Sequence, residues 1–368
     1  IFYFYSPRRC HSAFLAGAGR SFFSAWQRIR NQLRFDHLFK SGEDWLHPDK
    51  ETEKFYEIVV LDGETTNPGD LSWERLEKLG ELTVYARTKP EELYERAKEA
   101  ELLITNKTVL SGKMIRSLKN LKYIGTLSTG FNVVDIHAAR KLGSSLQRAL
   151  LLTNAVAQMT FSLLFALTNH VALHNHSVHQ GDWENSTDFC YWKAPLVELD
   201  QNFGVYGFGS IGRTVAKIAA DLGMNVIGLQ QDKKKNAFRL PVGVSGGAVP
   251  GKRRAFPPLS LTPETTGLVN RKTLSLMKPT AYLINTREAG IREQDLAEAL
   301  NGGRLAGAAM DVLCEEPPKK GNPLTHCEKC VITPHISWAA KESRDRLLHT
   351  VCDNVEAFLK GTPQNQVN

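Results

Sequence analysis

The run Gly207-Phe-Gly209-Ser-Ile-Gly212 restricts the fold more than any other feature of this chain. It has GxGxxG spacing, follows an apolar strand candidate (Phe203–Tyr206) and opens a helix candidate (Arg213–Leu222). The first glycine makes a tight turn, the second lets backbone N–H groups approach a pyrophosphate, and the third lets helix and strand pack closely. The helix N-terminus then stabilises phosphate charge. A glycine-rich turn without a ligand is the alternative, but the flanking strand and helix favour dinucleotide binding, with Ser210 and Ile211 inside the turn. An acidic residue is expected about twenty residues further on, to hold the ribose hydroxyls. Gln230 stands there instead, with Asp232, Lys233, Lys234 and Lys235 behind it. Those lysines either tolerate a 2′-phosphate or form a solvated loop, so NAD(H) and NADP(H) both stay open.

The same texture extends along the chain. Strand candidates at 57–61, 82–85, 102–105, 123–127, 203–206, 225–229, 281–285, 306–312 and 331–333 alternate with helix candidates at 71–79, 90–100, 114–118, 157–171, 213–222, 274–277, 293–300 and 344–359. Alternation of this kind implies parallel βαβ units. With 368 residues the chain exceeds what one core serves, so two domains are expected. The reading is a Rossmann-type doubly wound α/β sheet inserted into a smaller α/β domain, which the last helix returns to complete. No stretch reaches the eighteen or so apolar residues of a membrane span, and none is expected.

The formal net charge of +7 raises the question of an anionic polymer as partner. The excess sits in two irregular segments, residues 1–55 and 231–256, and the latter sets seven basic side chains against Asp232 alone. A nucleic-acid binder spreads such charge over a folded face, so none is expected here. Residues 1–54 are Arg-rich and acid-poor at the start, like a mitochondrial transit segment, and are read as lying outside the fold. The location is therefore cytoplasmic, or mitochondrial if that segment is a transit peptide. Cys327-Glu-Lys-Cys330 has metal-knuckle spacing, but no second pair accompanies it, and no metal is expected.

Three polar groups follow strand candidates downstream. Arg287 ends Leu283-Ile-Asn-Thr286-Arg287, Glu316 lies in Glu315-Glu-Pro-Pro318, and His335 lies in Thr333-Pro-His-Ile336. At the carboxyl edge of one sheet they offer a carboxylate anchor, a counter-charge and a proton donor. Singly, each is equally a surface Arg, a solvated Glu or a satisfied core His.

From Tyr56 to Asn368 the chain resembles the D-isomer-specific 2-hydroxyacid dehydrogenases, in particular their glycerate dehydrogenase (hydroxypyruvate reductase) branch. The resemblance rests on Leu61-Asp-Gly63, Asn67-Pro-Gly-Asp-Leu-Ser-Trp73, Thr105-Asn-Lys-Thr108, Ser128-Thr-Gly-Phe-Asn-Val-Val-Asp135 and Asp188-Phe-Cys-Tyr-Trp192. Beyond the glycine motif it continues through Leu261-Thr-Pro-Glu-Thr265, Leu276-Met-Lys-Pro279, Ala309-Met-Asp-Val312 and Thr333-Pro-His-Ile-Ser-Trp338. It implies reduction of a small 2-keto acid, hydroxypyruvate or glyoxylate, to D-glycerate or glycolate. His335 would be the acid/base, Glu316 its partner, and Arg287 the substrate anchor together with Ser128, Thr129 and Gly130. Gln230 and Thr286 would fall to the cofactor, and Asp311 would face the nicotinamide amide. It further implies a flavodoxin-like substrate domain (55–154 and 337–368), a dinucleotide domain (155–336) and a homodimer.

The chain departs from the family at 144–152, where a strand is replaced by Ser144-Ser-Leu-Gln-Arg-Ala-Leu-Leu-Leu152. It departs again at 231–258, where a helix and a strand give way to loop-like sequence, leaving a sheet edge unpaired. The strand leading to Gly204 and the segment carrying Arg287 are each one residue short. The rival readings are a degenerate, inactive relative that at most binds dinucleotide, a dinucleotide-sensing corepressor, and a formate dehydrogenase. Glu316 speaks against the last.

Overall fold

The computed structural model describes residues 2–5, 56–148, 153–232, 237–239, 267–287 and 290–368, with the backbone alone at 2–5, 148, 229–232 and 237–239. The chain divides into two compact units, Pro7–Lys54 and the remainder. The first unit lies outside the described residues, as do the Leu261–Thr265 motif and most of the 231–258 segment.

Strand β1 (Phe2–Tyr5) precedes a parallel five-stranded sheet built from β2 (Tyr56–Val60), β3 (Gly80–Val84), β4 (Leu102–Thr105), β5 (Tyr123–Thr126) and β6 (Ser145–Arg148). Its order is β3-β2-β4-β5-β6, the flavodoxin-like arrangement. Crossovers run through α1 (Glu74–Glu77), α2 (Leu93–Ala97), α3 (Gly112–Ser117) and α4 (Ile136–Leu142). Asp135 caps α4 by accepting from the Ala138 N–H, and Gly143 ends it in the left-handed region at φ 75°. The short apolar run of β2 is buried on both faces. Val59 and Leu61 pack with Leu93, Ile115 and Ala138, whereas Ile58 and Val60 pack with Leu347, Val351 and Val355 of the last helix, Lys341–Leu359. That two-sided burial is why the run is apolar throughout rather than alternating. Residues 144–152, read as a lost strand, supply β6 at 145–148, and its Leu146 and Gln147 are fully buried. Residues 149–152 lie outside the described part.

The second sheet follows α5 (Thr153–Asn169) and α6 (Val171–His179). It contains β7 (Asn202–Tyr206), β8 (Asn225–Asp232), β9 (Ala237–Arg239), β10 (Tyr282–Asn285), β11 (Gly307–Met310) and β12 (Cys330–Ile332). The helices α7 (Ser210–Asp221), α8 (Arg271–Leu274) and α9 (Glu293–Asn301) connect them, and α10 is the last helix, Lys341–Leu359. Again both faces are covered. Tyr282 and Ile284 meet Phe161, Leu164 and Ala216, while Leu283 meets Leu274, Leu296 and Leu300. The shortened approach to Gly204 nonetheless forms β7, paired with β8 from Asn202 to Tyr206.

Two expectations require correction here. The 231–258 segment is not loop from its start, because β8 reaches Asp232 and turns back antiparallel through β9. Residues 2–5 are not outside the fold. The sheet order is β12-β11-β10-β1-β7-β8-β9, so β1 sits in the middle, antiparallel to both β7 and β10. In the doubly wound order 3-2-1-4-5-6, a parallel strand stands beside the first one. Phe2–Tyr5 takes that fourth place, so the gap in this sheet is central and filled rather than an open edge.

Among the described residues no single helix is long and apolar enough to cross a membrane. α5 and α6 pass such a test only together, bent by 56°, and α5 buries Phe161, Leu163, Leu164 and Leu167 in the core.

Candidate active site

The carboxyl ends of the second sheet's strands carry the expected groups. β7 ends in Gly207, whose φ of 93° suits glycine alone. A Cβ on Gly212 would stand 2.0 Å from the Gly207 carbonyl oxygen, so the first turn of α7 lies against the strand end. A Cβ on Gly209 would meet nothing within 4 Å. Gly209 is the N-cap of α7 and offers no side-chain cap, and Ser210 beside it is exposed. The first N–H groups of a helix have no partner within it, so this turn presents donors and dipole to open space. The cradle therefore fits a pyrophosphate. Gln230 lies on β8, and its side chain falls outside the described atoms.

Glu316 and His335 come together. His335 Nδ1 and Glu316 Oε2 are 2.6 Å apart, with each side chain about a quarter exposed (26% and 29%). A carboxylate only accepts, so Nδ1 carries the proton, and Nε2 is the nitrogen left to exchange one with a ligand. Glu316 is fixed in turn, because its Oε1 accepts from the Leu313 N–H at 2.8 Å. Burial pushes the Glu316 carboxyl up. The hydrogen bonds from His335 and Leu313, with the charges of His335 and Lys107, outweigh it and leave the group below the usual glutamate range. The loop carrying Glu316 is pinned to α9, where Glu293 accepts from the Cys314 N–H and the Asn322 amide, each at 2.7 Å. His335 adopts φ 56°, rare for a residue with a side chain.

Arg287 stands just past β10, half-buried, with its N–H donating to Asn285 Oδ1 at 3.3 Å. Its charge acts on the buried hydroxyl of Tyr206, the last residue of β7. Thr286 lies between it and the strand, and Glu288 and Ala289 lie outside the described residues. Ser128, Thr129 and Gly130 form a turn after β5, closed by Ser128 Oγ donating to the Gly130 carbonyl at 2.6 Å. Asp311, buried at 1% exposure, receives donors from the His335 loop.

Lys107 and Asp62 carry no role in the sequence reading. Asp62 accepts from the N–H groups of Asn106, Lys107 and Thr108 at 2.6–2.8 Å, fixing the loop from which Lys107 acts on Glu316. The only signal in the sequence is their place inside the Leu61-Asp-Gly63 and Thr105–Thr108 motifs. Among the described residues no group of three or more His, Cys, Asp or Glu could hold a metal ion.

Residues 161–337 match the family described as D-isomer specific 2-hydroxyacid dehydrogenase, NAD binding domain. The chain is 42% identical over 326 residues to a hydroxypyruvate reductase of Blautia hydrogenotrophica, covering 84% of this chain and 99% of that one. It is 35% identical over 283 residues to a glycerate dehydrogenase of Methylorubrum extorquens, covering 76% and 88%. Among solved structures it is similar to an acyclic imino acid reductase in complex with NADPH and D-Arg. That match has a TM-score of 0.71 and 26% identity, over 85% of this chain and all of the other.

Proposed function

The chain belongs to the D-isomer specific 2-hydroxyacid dehydrogenases, and from that premise we propose how its own residues carry the reaction. It is an NAD(P)-dependent oxidoreductase acting on the CH–OH group of 2-hydroxy acids, reducing hydroxypyruvate and glyoxylate. Gly207, Gly209 and Gly212 would hold a reduced nicotinamide dinucleotide, which when bound would supply the hydride. Arg287 grips the substrate carboxylate, aided by backbone N–H groups of the Ser128–Gly130 turn. His335 donates a proton from Nε2 to the carbonyl oxygen as the alcohol forms, and Glu316 stabilises the imidazolium and fixes its orientation. Residues 55–154 with 337–368 serve as the substrate domain, and 155–336 as the dinucleotide domain. Relatives from bacteria fit a cytoplasmic enzyme, a placement that cell fractionation tests.

The observation carrying this reading is the 2.6 Å contact between His335 and Glu316. Its test is oxidation of NADH and of NADPH by the purified chain with hydroxypyruvate or glyoxylate, followed by the loss of reduced-nicotinamide absorbance. The carboxyl of Glu316 is depressed, so its charge is present at neutral pH and is lost only as pH falls through that lowered value. Glu316→Gln is expected to cost about 100-fold in kcat at neutral pH. Its alkaline fall in reduction rate should also move to lower pH, because the imidazolium has lost its counter-charge. An unchanged profile would remove Glu316 from the mechanism.

We further propose that the chain forms a homodimer, as the resemblance implies. Val171, Trp183, Phe189 and Trp192 are 65%, 53%, 90% and 68% exposed along α6 and the segment after it. Within their segment Lys193 pairs with Asp182 at 2.7 Å, and its N–H donates to His174 Nε2 at 3.1 Å. Clustered exposed aromatics mark an interface, and a second copy is the occupant the resemblance implies. Light scattering should give twice the chain mass, and Phe189→Glu with Trp192→Glu should halve it. A wild-type mass of one chain would discard the dimer.

A further inference from the structure

Asp311 follows β11 and is almost wholly buried. Its Oδ1 accepts from Thr333 Oγ1 at 2.6 Å and from the Ile336 N–H at 2.9 Å. Its Oδ2 accepts from the Ser337 N–H at 3.0 Å and from Ser337 Oγ at 2.5 Å. Its backbone carbonyl takes the His335 N–H at 2.8 Å. Every residue from Thr333 to Ser337 therefore gives a donor to Asp311, except Pro334, which has no N–H to give. A carboxylate offers about four acceptor positions, and these contacts fill them.

The loop held in this way is strained. A side-chain-bearing residue at φ 56° persists only where its surroundings over-determine the backbone. Trp338 Nε1 donates to the His335 carbonyl at 2.9 Å and holds the same peptide from its other side. We propose that Asp311 is a positioning residue for the reaction, a clamp that keeps residues 333–337 in the conformation bringing the His335 ring against Glu316. The proposal rests on the reading of His335 as proton donor given above. It differs from contact with the nicotinamide amide, the role the resemblance assigns to Asp311. In this structure the Thr333 and Ser337 hydroxyls take up acceptor positions on the same carboxylate.

The test uses two variants of the full chain. Asp311→Asn removes half of the acceptor set, and the double variant Thr333→Val with Ser337→Ala removes two donors while keeping the carboxylate. NADH affinity is read from quenching of tryptophan fluorescence. The state of His335 is read from the pH dependence of its modification by diethyl pyrocarbonate, followed on its peptide by mass spectrometry, which needs no turnover. Glu316 faces that ring, and the charge of Lys107 acts on Glu316.

A clamp predicts that Asp311→Asn lowers kcat about 100-fold with NADH affinity unchanged. The midpoint of His335 modification should fall by about one pH unit as the ring swings from Glu316. The double variant should move both readouts the same way by less, and it carries the test if Asp311→Asn does not fold. Weakened NADH binding with an unmoved His335 midpoint would assign Asp311 to the nicotinamide and overturn the clamp. A double variant equal to wild type in both readouts would overturn it as well. If the wild type turned over neither keto acid while the His335 midpoint still responded, the proposed function would fall and the clamp would stand.

Discussion

His335→Ala is expected to lower kcat for hydroxypyruvate reduction by about 10²–10⁴-fold, the range for removing a general acid. The ring donates Nδ1–H to Glu316, so Nε2 is the nitrogen that can deliver a proton, and alanine has nothing to put in its place. Dinucleotide affinity should survive, because the glycine turn is built from β7 and α7. His335→Asn is the informative companion, since asparagine tolerates the left-handed backbone at φ 56° better than alanine does. If strain relief and not proton transfer explained the loss, asparagine would restore most of the rate. Steady-state kinetics beside equilibrium NADH binding separates the possibilities. A loss smaller than tenfold in both variants would refute the assignment.

Gly212→Val should abolish dinucleotide binding and destabilise the fold together. Its Cβ would fall 2.0 Å from the Gly207 carbonyl oxygen, a backbone atom that cannot swing aside, so α7 must leave the strand end. Forced overpacking of this kind costs about 1–3 kcal/mol and more where backbone must move. Gly209→Ala supplies the contrast. Its Cβ meets no protein atom within 4 Å and its φ of −75° suits alanine, so thermal stability should stay near wild type. The methyl would nonetheless stand in the space left for a pyrophosphate, and affinity for NADH should fall about tenfold or more. Equal NADH affinity in Gly209→Ala and wild type would show that the dinucleotide does not approach this turn.

The alternation of strands and helices was legible because each buried run announces itself by apolar residues over four to eight positions. The glycine turn and the Glu316–His335 pair were legible because their residue types serve one chemistry at strand ends. β6 was not, since Ser145-Leu-Gln-Arg148 lacks an apolar run. Its buried Gln147 amide, once turned about its last bond, donates to the Asn354 and Gln364 carbonyls, contacts made by residues two hundred positions away. The Asp311 clamp was hidden for a related reason. Its donors lie 22 to 26 residues on, across a strand, where no periodicity connects acceptor and donor. The place of Phe2–Tyr5 was unreadable altogether, since pairing with Val205 and Ile284 is a matter of register and not of local propensity.

That last placement sets a schedule for assembly. Phe2 pairs with Ile284, contacts roughly 280 residues apart along the chain, and non-local pairings of this sort slow folding. The flavodoxin-like sheet draws four of its crossovers from a single stretch, 56–148, and can form early from near neighbours. The second sheet cannot close its centre until both ends of the chain's ladder are present. Until then β7 and β10 face each other across a slot with unpaired N–H and C=O groups on either side, which is the form in which strands of another molecule are most readily accepted. The yield of native protein is thus expected to depend on how soon Phe2–Tyr5 reaches the slot between β7 and β10.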